Sequence, residues 1–376
     1  MLNKIKAMVV DDTVIYRKIM RDVVSSMKDI EVIATAPNGD IALKKIARNV
    51  PDLVFLDVEM PVMDGLQTLE HLKKEYPKVG VIMVSGVNER QADITMKALS
   101  KGAIDFVTKP TGRSMKENTE SLKKSLNPIV SLFRTKRATA GIRTPKQTTK
   151  RKIRPISKPV KKVIKPKKKI SPKKASRFAS VPNKFDVLVI GVSTGGPNAL
   201  AKFIPLLDSD LNVPILLVQH MPPMFTKSLA NHLNMKSKLK VIEAQAGMSL
   251  EKNVVYIAPG GKHMIIQNDD DNTTIDLLDT PPVNSCKPSV DVLFDSVPNV
   301  YKTNILSLIM TGMGADGANG IKTLKRIGTY TVTQSEDTCV VYGMPRAVVE
   351  AGLSDEIVPL DKLASRVTDL IIKGKK

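Results

Sequence analysis

Two sets of residues in this 376-residue chain have the types and spacing that chemistry requires. The first is acidic. Asp11 and Asp12 close the apolar run IKAMVV, Asp57 closes LVFL, Ser85 closes VGVIMVS, and Lys109, followed by Pro110, comes just after AIDFV. If those runs are strands of a parallel sheet, the residues gather at its carboxyl edge, where such sheets bind ligands. Three carboxylates brought together repel one another unless a hard cation lies among them, and Mg²⁺, which takes a few carboxylates plus waters, suits the set. With that cation and the Lys109 ammonium neutralising charge, Asp57 becomes an acceptor for a phosphoryl group. A single acid at a strand end is usually a helix cap or a solvated loop residue. The joint pattern DD, LVFLDVEMPVMDG, VSG and KP is harder to reduce to that.

The second set centres on GVSTGGP, residues 191–197, which follows VLVI. Gly191-Val192-Ser193-Thr194-Gly195 satisfies G-x-S-x-G, in which a sharp strand-to-helix turn presents a serine hydroxyl. The same kind of loop also cradles phosphates on helix amides, or is only a tight turn. The five residues alone do not separate these readings, although no lysine follows as in a P-loop and the G-x-G-x-x-G spacing is absent. What favours a nucleophile is its company. His220 ends VPILLVQH and Asp316 lies in TGMGADG just after NILSLIMT, so three strand ends supply Ser, His and Asp. His220 would take the Ser193 proton, and Asp316 would hold the imidazole in the right tautomer. Amides near Thr194 and Met313 would face the oxyanion, at about 3 kcal/mol per donor. The order Ser, His, Asp is not that of the α/β-hydrolases. His263, in APGGKHM, could line the same site.

The elements that must position these residues are readable as alternation. IKAMVV (5–10), EVIATA (31–36), LVFL (53–56), VGVIMVS (79–85) and AIDFV (103–107) read as strands buried on both faces. Segments such as VIYRKIMRDVVSSM separate them, with Ile15, Ile19 and Val23 at helical spacing. FDVLVIG, VPILLVQ and NILSLIMT repeat the strand signal later, with helices over PNALAKFIPLL, SVDVLFDSV, GANGIKTLKRI and DKLASRVTDLII. Both halves are therefore expected to be α/β, each a doubly wound parallel sheet. Residues 241–279 are expected to form a hairpin-rich insertion.

Charge separates the halves. The formal net charge is +21, but residues 134–184 hold 20 Lys or Arg and no Asp or Glu, which leaves the rest of the chain at +1. This Pro-rich stretch lacks the apolar surface to repay ordering and reads as an extended linker. Domains are expected at 1–132 and 185–376, with the linker at 133–184. A basic run of this kind gains roughly 1 kcal/mol per residue close to an anionic bilayer, and similarly near an acidic receptor surface, less with salt. A simple tether is the other reading. A nucleic-acid-binding regulator is disfavoured, because the globular parts are near neutral and offer no recognition helix or stacking platform. Two cysteines without metal-ligand spacing, no secretory leader and no long apolar run point to a soluble cytoplasmic protein.

Over about residues 4–125 the acidic pattern resembles the response-regulator receiver domain. The resemblance implies that Asp57 is phosphorylated by a partner histidine kinase and that Asp11, Asp12, Asp57 and the backbone carbonyl of Glu59 hold Mg²⁺. It further implies that Ser85 and Phe106 form a switch pair and that Lys109 senses the phosphate. GVSTGGP, QHMPPMFT, APGGKHM, PSVDVLF and TGMGADGA resemble the catalytic domain of the chemotaxis protein-glutamate methylesterases. The whole chain thus resembles the CheB family over about 1–125 and 185–372: a flavodoxin-like receiver, then a Rossmann-like methylesterase domain. What this implies is hydrolysis of glutamate γ-methyl esters on chemoreceptor cytoplasmic domains, often with glutamine deamidation, and no cofactor for the esterase. Ser193, His220 and Asp316 fall on the family's catalytic positions, and Thr194, His263 and Met313 on positions that line or support the site. VNSCKPSVD departs from the family, with Ser285-Cys286-Lys287 where bulkier His or Arg residues are usual, and Cys286 is read as a bystander. A receiver fused to a hydrolase implies control. The unphosphorylated receiver is expected to cover the strand ends carrying Ser193 and to loosen on phosphorylation.

Overall fold

The computed structural model describes residues 4–112, 114–140, 181–269 and 272–373. In the first half β1 (Ile5–Val10), β2 (Ile30–Ala36), β3 (Leu53–Asp57), β4 (Gly80–Ser85) and β5 (Asp105–Thr108) alternate with α1 (Val14–Ser25), α2 (Gly39–Ile46), α3 (Gly65–Glu75), α4 (Glu89–Ser100) and α5 (Met115–Ala140). The strands form one parallel sheet in the order β2-β1-β3-β4-β5. Every residue of β3 and β4 is buried, which is why both read as unbroken apolar runs: helices cover each face of the sheet. On α1, Ile19 and Val23 turn inward as their spacing predicts, but Ile15 in the first turn is exposed. Asp64 and Gln67 form a reciprocal capping box that starts α3.

The second half contains β6 (Val187–Val192), α6 (Gly196–Phe203), β7 (Ile215–Gln219), α7 (Phe225–Asn234), β8 (Lys240–Glu243), β9 (Val254–Ile257), β10 (His263–Asp269), β11 (Asn272–Leu278), α8 (Val290–Val300), β12 (Ile305–Ile309), α9 (Ala318–Lys325), β13 (Tyr330–Gln334), α10 (Met344–Glu350), β14 (Glu356–Val358) and α11 (Leu360–Lys373). Seven strands make a parallel sheet in the order β14-β13-β12-β6-β7-β9-β8. Both halves are thus parallel α/β layers, as the alternation predicts.

The segment expected to be a hairpin-rich insertion divides in two. β10 and β11 do form an antiparallel hairpin, but β8 and β9 join the parallel sheet at its edge. Of the expected linker at 133–184, residues 133–140 continue α5, and residues 141–180 lie outside the described residues. No described helix is long and apolar enough to cross a membrane.

In the second sheet the chain leaves β6 for β7 on one side and returns to β12 on the other. The crevice at the carboxyl ends of these three neighbours is a topological switch point, the usual ligand site of an open α/β sheet.

Candidate active site and the acidic cluster

At the first sheet's carboxyl edge, Asp11 and Asp57 are buried, at 1% and 2% exposure, with Asp12 beside them at the surface. Ligand atoms of the three carboxylates all lie within 4.8 Å of one another. Lys109 Nζ stands 2.7 Å from Asp57 Oδ2 and 2.8 Å from Asp11 Oδ2. Burial pushes the Asp57 carboxyl up to about 7; Lys109 opposes that shift, and Asp11 and Asp12 add to it. Burial would lower the Lys109 ammonium, but Asp57 and Asp11 hold it above its ordinary range. Three carboxylates against one ammonium leave surplus negative charge in an all-oxygen donor set, which fits a hard divalent cation. Asp57 Oδ1 also accepts the Val58 amide at 2.8 Å. Gly65 is required where the following loop folds back, because a Cβ there would lie 2.1 Å from the Asp57 carbonyl oxygen.

The other expected receiver residues occupy different ground. The Glu59 carboxylate is engaged by Gln91 Nε2 at 2.6 Å and faces Arg90, so its side chain is not one of the clustered donors. Ser85 is fully buried and accepts a hydrogen bond from Thr95 of α4 at 3.0 Å. Phe106 faces the second half and stacks on Phe225, with centroids 4.8 Å apart and planes 9° from parallel. Tyr16 was not singled out from the sequence; its ring lies 5.0 Å from Lys109 Nζ and its hydroxyl donates to the Pro110 carbonyl.

At the second sheet, Ser193, His220 and Asp316 follow β6, β7 and β12, three adjacent strands. The serine loop is pinned on both sides: the Ser193 amide donates to the Thr311 carbonyl at 2.9 Å, and Gln219 Nε2 donates to the Ser193 carbonyl at 3.0 Å. Gly195 takes φ +76° to open α6, and a Cβ there would lie 2.2 Å from Val340 Cβ.

His220 Nε2 lies 2.8 Å from Asp316 Oδ2. Asp316 is buried and heavily supported. Its Oδ1 accepts from Asn284 Nδ2 at 2.7 Å and Ser289 Oγ at 2.8 Å, and its Oδ2 accepts from the Val290 amide at 2.7 Å. Burial would raise the Asp316 carboxyl, yet His220, Asn284 and the Val290 amide bring it down to about 2. Burial would lower His220, yet Asp316 and Cys286 lift it to about 9.

The remaining nitrogen of His220, Nδ1, faces Cys286 Sγ at 3.5 Å. Cys286, read from sequence as a bystander, therefore touches the histidine. Ser193 and His220 line one cavity of about 530 Å³, and among the described residues Ser193 Oγ makes no hydrogen bond to His220. Thr194 and Met313 line the same cavity. His263 is fully buried behind it; its Nδ1 accepts the Ser289 amide at 3.1 Å and its Nε2 lies 3.1 Å from the Pro281 carbonyl. It steadies the residue that supports Asp316 and does not face the cavity. Asn284, Ser289, Gln219 and Thr311 complete the site and were missed in the sequence. Only Ser289, a polar residue just before the apolar start of α8, had a legible signal, that of an N-cap.

The far wall of the cavity comes from the first half: Asp105, Phe106, Lys124, Pro128 and Ile129. Asp105 Oδ2 accepts the Gly195 amide at 3.0 Å, two residues from Ser193. Burial raises the Asp105 carboxyl to about 6 against the pull of the Phe106 and Gly195 amides. Asn198 Nδ2 donates to the Ala103 and Ile104 carbonyls, and Ser228 Oγ donates to Asp93 Oδ1.

Known protein families match the chain in two parts. The family model described as CheB methylesterase matches residues 188–367, and that described as response regulator receiver domain matches residues 7–118. Relatives named protein-glutamate methylesterase/protein-glutamine glutaminase include one from Desulfotalea psychrophila, 42% identical over 98% of this chain and 99% of the relative. One from Clostridium acetobutylicum is 38% identical over 98% of this chain and 99% of its own length. The crystal structure of the Thermotoga maritima CheB methylesterase catalytic domain is 38% identical, covers 50% of this chain and 99% of that one, and has a TM-score of 0.49.

Proposed function

We propose, from the premise that this chain belongs to the CheB methylesterase family, that it hydrolyses glutamate γ-methyl esters of chemoreceptor cytoplasmic domains through Ser193, His220 and Asp316. Ser193 Oγ attacks the ester carbonyl while His220 accepts the hydroxyl proton at Nδ1, the nitrogen that Asp316 leaves free. His220 then returns the proton to the departing methoxide, and methanol leaves. Water deprotonated by the same nitrogen cleaves the acyl-enzyme to the glutamate and restores Ser193. A glutamine amide follows the same course with ammonia departing, which is the glutaminase reaction. Amides at Thr194 and Met313 face the oxyanion in this reading.

Control comes from the receiver. Asp57 is the phosphoryl acceptor, with a partner histidine kinase as donor. Asp11, Asp12, Asp57 and the Glu59 carbonyl would hold Mg²⁺, which supplies positive charge for the transferring phosphoryl group. Lys109, already beside Asp57, would hold the phosphate once it is attached. The observation that carries the regulatory reading is the shared cavity, in which Phe106 and Asp105 close the space over Ser193 and His220. In this reading a receptor segment would have to displace the receiver wall to reach Ser193. Ser85 and Phe106 would couple the phosphate to the stack on Phe225. The activity places the protein in the cytoplasm, beside the receptor domains it acts on.

Methanol release from methylated receptor tests this reading. A small phosphodonor is expected to accelerate the wild type by about a hundredfold, a shift of about 2.7 kcal/mol, and to leave Asp57→Asn at its basal rate. Equal activation of both proteins would overturn it.

A further inference from the structure

Of the chain's two cysteines, one is sheltered. Cys339 is 6% exposed and its thiol is pushed up to about 12 by burial and by the charges of Asp337 and Glu336. Cys286 is placed differently. It is half-buried and lines the cavity shared by the two halves. A two-way backbone exchange between Val283 and Cys286, at 2.8 and 3.1 Å, closes the turn that carries it. Its sulfur lies 3.5 Å from His220 Nδ1, and His220 Nε2 is taken by Asp316. Asp316, His220 and Cys286 therefore form a relay of carboxylate, imidazole and thiol, with the thiol at the open end. Thiols next to a protonatable imidazole and accessible to solutes form thiolates and are the ones that oxidants and electrophiles attack.

We infer that Cys286 is a modification site: hydroperoxides oxidise it, and the oxidised sulfur shuts down the esterase by occupying the face of His220 that Ser193 must use. The thiol passes its proton to His220 Nδ1, and the thiolate sulfur attacks one peroxide oxygen. The S–O bond forms as the O–O bond breaks. The sulfur is oxidised by two electrons to the sulfenic acid, the peroxide is reduced, and the proton on His220 leaves with the departing oxygen, as water from hydrogen peroxide or as the alcohol from an alkyl hydroperoxide. Two equivalents of an external thiol reverse the step, giving back the Cys286 thiol, a disulfide of the reductant and water. The inhibitory part of this inference rests on His220 acting as the base for Ser193; the reactivity of the thiol does not.

The test uses the full chain treated with hydrogen peroxide, with dimedone to trap sulfenic acid, and peptide mass analysis. Adduct is expected on the Cys286 peptide and not on that of Cys339, which also reports that the protein has stayed folded. Methanol release should fall in step with Cys286 oxidation and return with dithiothreitol when dimedone is omitted. For both Cys286→Ala and Cys286→Ser, peroxide should leave unchanged whatever activity each has beforehand. In His220→Gln, alkylation of Cys286 by iodoacetamide at neutral pH should slow by about tenfold. Absence of adduct at Cys286, full activity with Cys286 fully oxidised, or peroxide loss in the Cys286 variants as fast as in wild type would overturn the inference. If untreated protein released no methanol, the esterase reading would fail, and the His220→Gln labelling rate would still decide the thiol's reactivity.

Discussion

Phe106→Ala removes the ring that stacks on Phe225 at 4.8 Å, an apolar contact between the receiver side of the cavity and the serine side. An aromatic pair contributes about 1 kcal/mol beyond its area, and partial burial of a phenylalanine side chain about another 1 kcal/mol. Losing both weakens docking by about 2 kcal/mol, which lowers the ratio of docked to open protein about 30-fold. The assay is methanol release from methylated receptor without phosphodonor, set against wild type at saturating phosphodonor. Unphosphorylated Phe106→Ala should turn over faster than unphosphorylated wild type, up to about 30-fold, with the phosphorylated wild-type rate as its ceiling. Adding Asp57→Asn should not reverse the gain, because the variant bypasses the phosphoryl group. If Phe106→Ala unfolds at the wild-type temperature yet shows the wild-type basal rate, the ring does not hold the inhibited state and the reasoning fails.

Asp105 and the His220–Asp316 pair carry predictions in different pH windows. Asp105 is raised from 3.8 to about 6 in the docked protein, so folding takes up a proton and stability grows as pH falls through that window. Thermal melts between pH 7 and 4 should show wild type gaining on Asp105→Asn, by at most about 3 kcal/mol; a flat difference would remove Asp105 from the interface. His220 is raised from 6.5 to about 9, so its contribution is complete below pH 6.5 and is lost as pH rises through 9. Asp316 is lowered from 3.8 to about 2, so the same pair also weakens as pH falls from 3.8 through 2. Wild type should therefore lose up to about 3 kcal/mol relative to Asp316→Asn between pH 6 and 9.5, while its turnover rises with pH as His220 becomes neutral. Asp316→Asn should lower turnover by about 10⁴-fold; a small loss would show that His220 is oriented by other groups.

The parts legible in the sequence were those in which burial and chemistry coincide. β6, β7 and β12 are fully buried apolar runs, and a parallel sheet puts the residues after them on one edge, so Ser193, His220 and Asp316 could be brought together before any coordinates. β13 escaped notice because YTVTQ is rich in threonine yet wholly buried, its hydroxyls satisfied laterally, as in the 2.9 Å bond from Ser307 to Thr331. β8 and β9 are four-residue strands, too short for their pairing to be told from a hairpin. Cys286 meets His220 because Asn284 and Ser285 take left-handed backbone angles, φ 53° and 63°, that turn the chain back on itself. No periodicity announces such a turn. Asp105 read as an ordinary strand residue in AIDFV, since its partner, the Gly195 amide, lies 90 positions away at the start of α6 in the other half.

Ser193→Ala in phosphodonor-activated protein tests the central claim most directly, with methanol released from methylated receptor as the readout. The expected rate is about 10⁴-fold or more below wild type, with an unchanged melting transition and Asp57 still accepting the phosphoryl group. A folded, phosphorylated Ser193→Ala protein that releases methanol near the wild-type rate would contradict it.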